Sequence, residues 1–347
     1  MTVLRNMFNF FGLFLPVNQI LDNCDFDRTI LIICHGELNV PPIGWGAVEK
    51  IVSEVTSELN AAHYRTIILN SKSIFAWIML RSRKIDLIFL HDDTKILRTR
   101  FFWPKHKLIL FSHYGYAGFE PQWTRKYRMS IQNDFKLVNL VVCLSPTIYN
   151  QYSRYLDSNK LLIVPNGISL NFPLHDFSII TSSNKNLICL GKVEPRKKQF
   201  ELYKILEDTK ISVDFVGPII DNRVLRLLKS EEKLRKVFLG EKSNTYLNKL
   251  FSDYRCLIHV SEAEADALVL YEAQLAGLSI IVTENSIGSQ NSKLPWIKVI
   301  PNNFNLADIE FALSSVVYDK VQVANFARAN YGWKKQLKPL IERLDTL

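Results

Sequence analysis

One stretch says most about the fold of this chain: Ser261-Glu-Ala-Glu-Ala-Asp-Ala-Leu-Val-Leu-Tyr-Glu-Ala-Gln-Leu-Ala-Gly277. From Asp266 onward it predicts an apolar helix, which the final glycine would end. Glu264 precedes this helix, and Glu272 lies inside it, on or beside the buried stripe. A carboxylate in that position is costly unless something hydrogen-bonds to it. Two interpretations remain open at this point. Either the glutamates bind a ligand, or Ser261 and Glu264 form a capping box and Glu272 is a paired structural acid.

The two glutamates, with seven residues between them, resemble the motif of retaining glycosyltransferases with two Rossmann-like domains, the GT-B fold. This large group includes sucrose synthases, bacterial mannosyltransferases and lipopolysaccharide glucosyltransferases. Its motif reads Ser-x-x-Glu-Gly-Phe-Gly-Leu, then a helix with the second Glu, then Ala-x-x-x-Gly. The residues in register here are Ser261, Glu264, Leu268, Glu272, Ala273 and Gly277. Ala265 and Ala267 replace the usual glycines, and Asp266 replaces the usual Phe. The alanine side chains restrict how closely a ligand can approach the backbone.

A second motif, Leu190-Gly-Lys-Val-Glu-Pro-Arg-Lys-Lys-Gln199, follows a predicted strand and leads into a helix. Lys192 and Lys197 bracket this loop, so two cations and a helix start meet at the carboxyl edge of a sheet. That combination suits a diphosphate, although a solvated basic turn would show the same residues. The loop resembles the same family's Gly-Arg-x-x-x-x-Lys-Gly motif, with Lys198 in place of the second Gly.

A glycine- and proline-rich loop, His35 to Glu49, follows the first predicted strand and delivers a helix start to the same kind of edge. It resembles the family's Gly-Tyr-Gly-Gly-x-Glu loop, with Trp45 for Tyr and Ala47 for the second Gly. The resemblance assigns Gly46 to close approach of the donor diphosphate.

Other candidate residues follow predicted strands. His113 matches the histidine that contacts the donor sugar in this family, and His91, Asp92 and His113 itself are expected on the acceptor side. Gly217 and Gly240 match loops that surround the nucleotide base. The resemblance implies a reaction without a metal.

Short apolar runs alternate with helical stretches along both halves, which predicts α/β domains with parallel sheets covered on both faces. We expect a first Rossmann-like domain over residues 1–172, a linker over 173–185 and a second domain over 186–325. A C-terminal helix over 326–347 is expected to pack back toward the first domain. Two such domains would face each other across a cleft at the carboxyl ends of their strands.

The formal net charge of +9 is concentrated between Arg98 and Arg128, where basic and aromatic residues interleave. An anionic membrane surface or a phosphorylated acceptor would suit this span, a solvated basic surface is the simpler interpretation, and no nucleic-acid motif accompanies it. The apolar first 16 residues are too short to span a bilayer. The five cysteines show no disulfide or zinc spacing, which favours a cytoplasmic location, with the cytoplasmic face of a membrane as an alternative.

The resemblance therefore implies a retaining glycosyltransferase with a nucleotide-diphosphate sugar donor, UDP- or GDP-linked, a glycan or glycolipid acceptor and no further cofactor. Glu272 would hold the ribose, and Glu264 with the amides of residues 265–268 the sugar and phosphate. Lys192 and Lys197 would neutralise the departing diphosphate. The alternatives are another two-domain sugar-phosphate enzyme, such as a phosphorylase or an epimerase, and a catalytically silent membrane or scaffold protein with the same fold.

Overall fold

Two parallel six-stranded sheets form the framework of the computed structural model, which describes residues 26, 28–43, 45–170, 185–242, 246 and 250–347. The chain divides into two compact units, Met1–Pro165 with Gln336–Leu347, and Asn166–Lys335. Each unit alternates strands with helices. The predicted fold class, two Rossmann-like α/β domains, is therefore confirmed.

The first sheet has the strand order β2-β1-β3-β4-β5-β6, and all neighbouring strands are parallel. Its strands are almost wholly buried runs of aliphatic residues, as expected for a sheet with helices on both faces. The chain order reverses between β1 and β3, and ligands commonly bind at the carboxyl side of such a switch point. The strands are β1 Arg28–Ile33, β2 Tyr64–Leu69, β3 Leu87–Leu90, β4 Lys107–Phe111, β5 Leu140–Cys143 and β6 Leu161–Ile163. The helices are α1 Ala47–Ala61, α2 Ile74–Arg81, α3 Ile96–Phe102, α4 Arg125–Asn133 and α5 Pro146–Tyr152.

The second sheet has the order β12-β11-β10-β7-β8-β9, again all parallel, with its switch point between β7 and β10. The strands are β7 Lys185–Leu190, β8 Val213–Val216, β9 Phe238–Gly240, β10 Tyr254–His259, β11 Ser279–Thr283 and β12 Ile297–Ile300. The helices are α6 Gln199–Leu206, α7 Asn222–Leu227, α8 Glu232–Val237, α9 Leu268–Leu275, α10 Leu306–Ser315 and α11 Lys320–Asn330. The last helix, α12 Trp333–Leu344, belongs mostly to the first unit. Apolar side chains fill both sides of this sheet, in two buried clusters.

The sequence pattern misses two outer strands, β6 and β12, and the helices α8 and α11. Each of the two strands has three or four residues and lies at the end of its sheet, so its apolar run is too short to stand out. The predicted linker (173–185) and a predicted helix near residues 244–251 lie largely outside the described residues, as does the apolar N-terminal stretch.

The C-terminal region differs from the single predicted helix over 326–347, because two helices meet at Tyr331 and Gly332. The backbone oxygen of Tyr331 accepts a hydrogen bond from the Ile168 nitrogen at 2.8 Å, and Ile168 and Gly332 form a parallel bridge. This pairing places Ile168 in the second unit, so the units divide after Pro165 rather than after residue 172. The last residues belong to the first unit, where Arg28 Nη1 donates to the Leu344 oxygen at 2.8 Å.

Candidate functional site

Glu264 lies at the carboxyl edge of the second sheet, in the loop between β10 and α9. Its Oε1 accepts a hydrogen bond from Ser261 Oγ at 2.8 Å. The same oxygen lies 3.3 Å from Arg196 Nη1, 3.6 Å from Lys197 Nζ and 3.4 Å from His259 Nε2. The loops after β7 and β10, which are distant in sequence, therefore meet around one carboxylate at the switch point of the sheet.

The Glu264 side chain is 12% exposed. Burial alone would raise the pKa of its carboxyl group, but the charge on Lys197, together with the other neighbours, holds that pKa well below its usual range. Burial lowers the pKa of His259, although Glu264 acts to raise it. The site therefore presents an ionised glutamate at neutral pH beside the side chains of Arg196 and Lys197.

The capping-box interpretation of Ser261 and Glu264 is wrong. Helix α9 begins at Leu268, and the residues from 261 to 267 form a loop. The Ser261 hydroxyl donates to the Glu264 carboxylate instead, and the Ser261 carbonyl accepts hydrogen bonds from Thr283 Oγ1 at 2.7 Å and Ser286 Oγ at 2.8 Å. The loop is thus fixed by three side chains, with Glu264 held at its centre.

Arg196 is a site residue that the sequence reasoning missed. Its Nη1 donates to the Ala263 oxygen at 2.6 Å, and its own oxygen accepts a hydrogen bond from the Glu262 nitrogen at 2.8 Å. Glu194 bridges it to Lys192, with 3.0 Å from Arg196 Nη2 and 3.2 Å from Lys192 Nζ. The three consecutive cations at 196–198 were the available signal, but the family motif directs attention to only two positions.

The glycines at the ends of β7, β8 and β9 allow these loops to lie close together. A Cβ atom on Gly217, whose φ is +147°, would lie 2.1 Å from the Gly191 oxygen. The Gly217 nitrogen donates to the Gly240 oxygen at 2.9 Å, whereas a Cβ atom on Gly240 would meet no atom of the described residues within 4 Å. Gly217 thus has a structural reason to be glycine, and Gly240 borders open space.

Alanine fits the backbone where the family has glycine. Among the described residues, the non-glycine residues with positive φ are His63 and Lys198, so Ala47, Ala265 and Ala267 carry no such strain. Lys198, by contrast, occupies the place of a family glycine with a φ of 52°.

Asp266 is buried, and its carboxylate binds protein groups. Oδ2 accepts hydrogen bonds from the Asn166 nitrogen at 2.9 Å and Tyr271 OH at 2.7 Å, and Oδ1 accepts one from the Ser289 nitrogen at 3.0 Å. Burial raises the pKa of this carboxyl group to about 7. The side chain therefore fastens the start of the second unit to the loop before α9, and Leu268 beside it is buried as well.

Glu272 lies on the less buried side of α9, together with Val269, while the other side chains of the helix are buried. The predicted position at the margin of the apolar stripe is thus what the structure has.

In the first unit, His91 and His113 lie side by side at the ends of β3 and β4. His91 Nδ1 and His113 Nε2 are 2.9 Å apart, and the His91 ring stacks on Phe111 at 4.3 Å. Within the described part of the chain, His91 Nε2 is buried and has no hydrogen-bond partner. A buried acceptor without a partner is less costly than a buried N–H, so His91 donates from Nδ1 and His113 carries its proton on Nδ1.

Both histidines are neutral at physiological pH. Burial, with a smaller contribution from His35, lowers the pKa of His113 to about 3. Burial, together with His113 and His35, lowers the pKa of His91 well below its usual range. His113 can therefore exchange hydrogen bonds with a substrate, but its low pKa makes it a weak base.

Asp92 begins the short turn after β3, where its Oδ1 accepts a hydrogen bond from the Thr94 nitrogen at 3.0 Å. Its Oδ2 is 3.2 Å from Lys95 Nζ, which also donates to the carbonyl oxygens of Cys34 and His35. The carboxylate predicted on the acceptor side thus helps to join the ends of β1 and β3.

Gly46 precedes α1 with a φ of +142°, and its oxygen accepts a hydrogen bond from the Lys50 nitrogen at 3.0 Å. A Cβ atom there would lie 3.0 Å from Pro42 Cβ and 3.1 Å from Glu49 Oε2. The conformation itself requires glycine, whatever binds beside it.

The span from Arg98 to Arg128 does not form one basic and aromatic surface. Arg100 donates to the Leu137 and His106 oxygens, and Arg128 pairs with Glu120. The aromatic side chains of this span that the fold buries are Phe102, Trp103, Phe111 and Trp123. Many of the side chains that were predicted to bind lipid are therefore buried or hydrogen-bonded within the fold.

Among the described residues, no helix is long and apolar enough to cross a bilayer. The same residues contain no cluster of three His, Cys, Asp or Glu side chains that could hold a metal ion.

No protein-family model and no curated protein matches this chain. Solved structures do. HepE of Anabaena in complex with UDP and glucose has a TM-score of 0.70 at 12% identity, with 92% of this chain and 100% of HepE covered. Sucrose-phosphate synthase from Thermosynechococcus elongatus has a TM-score of 0.74 at 15% identity, with 92% and 99% covered. The lipopolysaccharide outer core galactosyltransferase WaaB has a TM-score of 0.61 at 14% identity, with 92% and 99% covered. This chain therefore has the GT-B fold, with two Rossmann-like domains, that these structures share.

Proposed function

We propose that this protein is a retaining glycosyltransferase that moves a sugar from a UDP- or GDP-linked donor to a glycan or glycolipid acceptor. Cell-surface polysaccharide or glycoconjugate synthesis is the setting we favour. The observation that carries the proposal is the cluster of Glu264, Arg196 and Lys197 at the switch point of the second sheet. Fold similarity to HepE, which was solved with UDP and glucose, supports the choice of donor.

In this proposal the donor binds along the carboxyl edge of the second sheet. Lys192, Lys197 and Arg196 supply positive charge to the diphosphate, since Arg and Lys side chains bind phosphate oxygens well. Glu264 accepts hydrogen bonds from sugar hydroxyls. Glu272 binds the ribose hydroxyls from the accessible side of α9.

The remaining donor contacts fall to the backbone. The amides of Ala265, Asp266, Ala267 and Leu268 lie just before and at the start of α9, where helix geometry favours an anion. The Asp266 side chain already binds protein groups, so only its backbone is assigned to the donor. Gly217 and Gly240 border the base, and Gly46 in the first unit is assigned to the diphosphate.

The acceptor side is assigned to the first unit. His113 would meet the transferred sugar through its Nδ1–H, with His91 holding the ring in the required tautomer. Asp92 would act indirectly, by fixing the ends of β1 and β3 through Lys95.

The charges around Glu264 favour retention without a covalent intermediate. Retention by double displacement needs a carboxylate that attacks the anomeric carbon, as in retaining glycosidases. Glu264 is instead tied to Arg196, Lys197 and Ser261, which weakens it as a nucleophile. We therefore expect the diphosphate to leave and the acceptor to attack from the same face, with a leaving phosphate oxygen taking the acceptor proton. The lysines and Arg196 stabilise the charge that develops on the leaving group.

The first test is calorimetric titration of the protein with UDP and GDP, repeated with Glu272→Ala. Loss of hydrogen bonds to a charged group costs about 1.5–3 kcal/mol, or roughly ten- to a hundredfold in affinity. The matched control is Glu310→Ala, which removes an exposed glutamate from helix α10. Absence of binding to either nucleotide would overturn the proposal, and unchanged affinity in Glu272→Ala would overturn the role of that residue.

The second test concerns the reaction. Donors that bind are incubated with acceptor candidates in excess chelator, and the product anomer is assigned by proton NMR. We expect retained configuration and full activity without divalent metal. An inverted product, or activity that chelator removes and manganese restores, would contradict the mechanism.

A further inference from the structure

Helix α2 of the first unit is apolar on both sides. Its inner side chains, Ala76, Trp77 and Leu80, are buried. Its outer face exposes four large apolar side chains, those of Ile74, Phe75, Ile78 and Met79. A helix that is apolar all round is typical of a buried helix or of one that contacts lipid, and here half of it is exposed.

Helix α3 continues this surface. It buries Ile96 and Phe102 and exposes Leu97 and Phe101, with Phe101 75% exposed. The two helices contact each other, and Trp77 packs against Phe102 with ring centroids 5.6 Å apart. The outer sides of α2 and α3 therefore form one apolar surface, here called the α2–α3 face.

The exposed charges from Ile74 to Lys107 have one sign. They are those of Arg81, Arg83, Lys84, Lys105 and Lys107. The three acids in this range bind protein groups: Asp86 Oδ2 accepts a hydrogen bond from the Thr29 nitrogen at 2.7 Å, Asp92 is buried, and Asp93 Oδ2 accepts a hydrogen bond from Ser112 Oγ at 2.8 Å. The guanidinium of Arg98 lies 4.4 Å over the Trp77 ring, between the two helices.

We propose that the α2–α3 face docks on an anionic lipid bilayer, with its apolar side chains in the interface and its basic rim on the headgroups. A contiguous exposed apolar patch marks an interaction site, and basic residues beside it add attraction to anionic lipid. A second copy of this chain on the same face would bring two positive rims together in a two-fold dimer. The first 16 residues are also apolar, but they contain Arg5 and no acidic residue, so they offer the rim no complementary charge.

The experiment measures sedimentation of the full-length protein with vesicles of phosphatidylcholine, alone or mixed with phosphatidylglycerol. We expect binding to the mixed vesicles that weakens with salt. Each basic side chain at such a surface is worth roughly fivefold in partitioning, so R81Q/R83Q/K84Q should bind about a hundredfold more weakly. The control K210Q/K229Q/K293Q changes the net charge equally on exposed residues of the second unit and should bind like the wild type.

The apolar contribution has its own matched pair. Phe101→Asp should reduce binding at least about tenfold, because it removes a phenyl group from the interface and adds a charge that anionic lipid repels. Phe311→Asp is the control, since Phe311 in α10 is 74% exposed. Circular dichroism melts confirm that these surface variants fold.

Three results would overturn the proposal. The first is equal binding to neutral and anionic vesicles. The second is loss of binding when Phe8, Phe10, Phe11 and Phe14 become serine, with no effect of Phe101→Asp. The third is a dimer that light scattering detects in the absence of vesicles and that Phe101→Asp dissociates. The α2–α3 face would then join two copies of the chain.

Discussion

Substitution of Gly217 by alanine should destabilise the second unit far more than the same change at Gly240. Both glycines have positive φ and end neighbouring strands, and they share a backbone hydrogen bond of 2.9 Å. They differ in the space beside them. At position 217 the new Cβ atom would lie 2.1 Å from the Gly191 oxygen and 2.6 Å from the Gly191 carbonyl carbon. At position 240 it would meet nothing within 4 Å in the part of the chain that the structure describes.

The expected magnitudes follow from this difference. Positive φ costs an alanine about 1–2 kcal/mol at position 240, where φ is +70°, and about 1–3 kcal/mol at position 217, where φ is +147°. At position 217 the Gly191 backbone must also move by more than an ångström, which endangers its hydrogen bond to the Val216 oxygen at 2.9 Å. Overpacking adds about 1–3 kcal/mol and the lost hydrogen bond about 1 kcal/mol. We therefore expect a loss of about 3–7 kcal/mol for Gly217→Ala and about 1–2 kcal/mol for Gly240→Ala.

The assay is urea unfolding, monitored by circular dichroism. The dependence of the unfolding free energy on urea concentration should be the same for both variants. UDP and GDP titrations of both variants separate stability from binding. Gly240→Ala should weaken nucleotide binding with little loss of stability if the ligand approaches the open side of that residue. Equal unfolding midpoints for the two variants would refute the steric argument.

Three other changes follow from the site. Lys198 has a left-handed backbone, so Lys198→Gly should be about 1 kcal/mol more stable than Lys198→Ala, which keeps this strain. The alanine variant is the reference because both variants lack the hydrogen bond from Lys198 Nζ to the Asn302 oxygen. Equal melting temperatures for the two variants would contradict this prediction. Because burial raises the pKa of Asp266 to about 7, the folded state binds its proton more tightly, so its contribution to stability is present below pH 4 and lost as the pH rises to 7. This loss is on the order of 4 kcal/mol. The free energy of unfolding of Asp266→Asn should therefore change less between pH 4 and pH 7 than that of the wild type. Arg196→Met should destabilise by about 1.5–3 kcal/mol through the lost contacts to Ala263 and Glu264, and Arg226→Met, on the exposed side of α7, is the control that should change little.

Much of the secondary structure can be predicted from local sequence. Ten of the twelve strands appear as short apolar runs, because strands buried on both faces need continuous aliphatic sequence. The helix after Glu264 follows from composition and from its terminal glycine. What the pattern cannot show is which apolar helix faces outward: α2 looks like a core helix in sequence, and only the packing of Trp77 against α3 leaves its other side exposed.

The candidate site divides in the same way. The sequence by itself identifies the two glutamates and the two lysines as candidate site residues, because they lie in short motifs next to strand ends. The tertiary structure alone decided that Arg196 and His259 join Glu264, and that Asp266 binds Asn166, which lies 100 residues away. The physical reason is that neighbouring loops at a sheet edge are set by strand order. The crossovers that place β7 beside β10 leave no trace in the local periodicity of either strand.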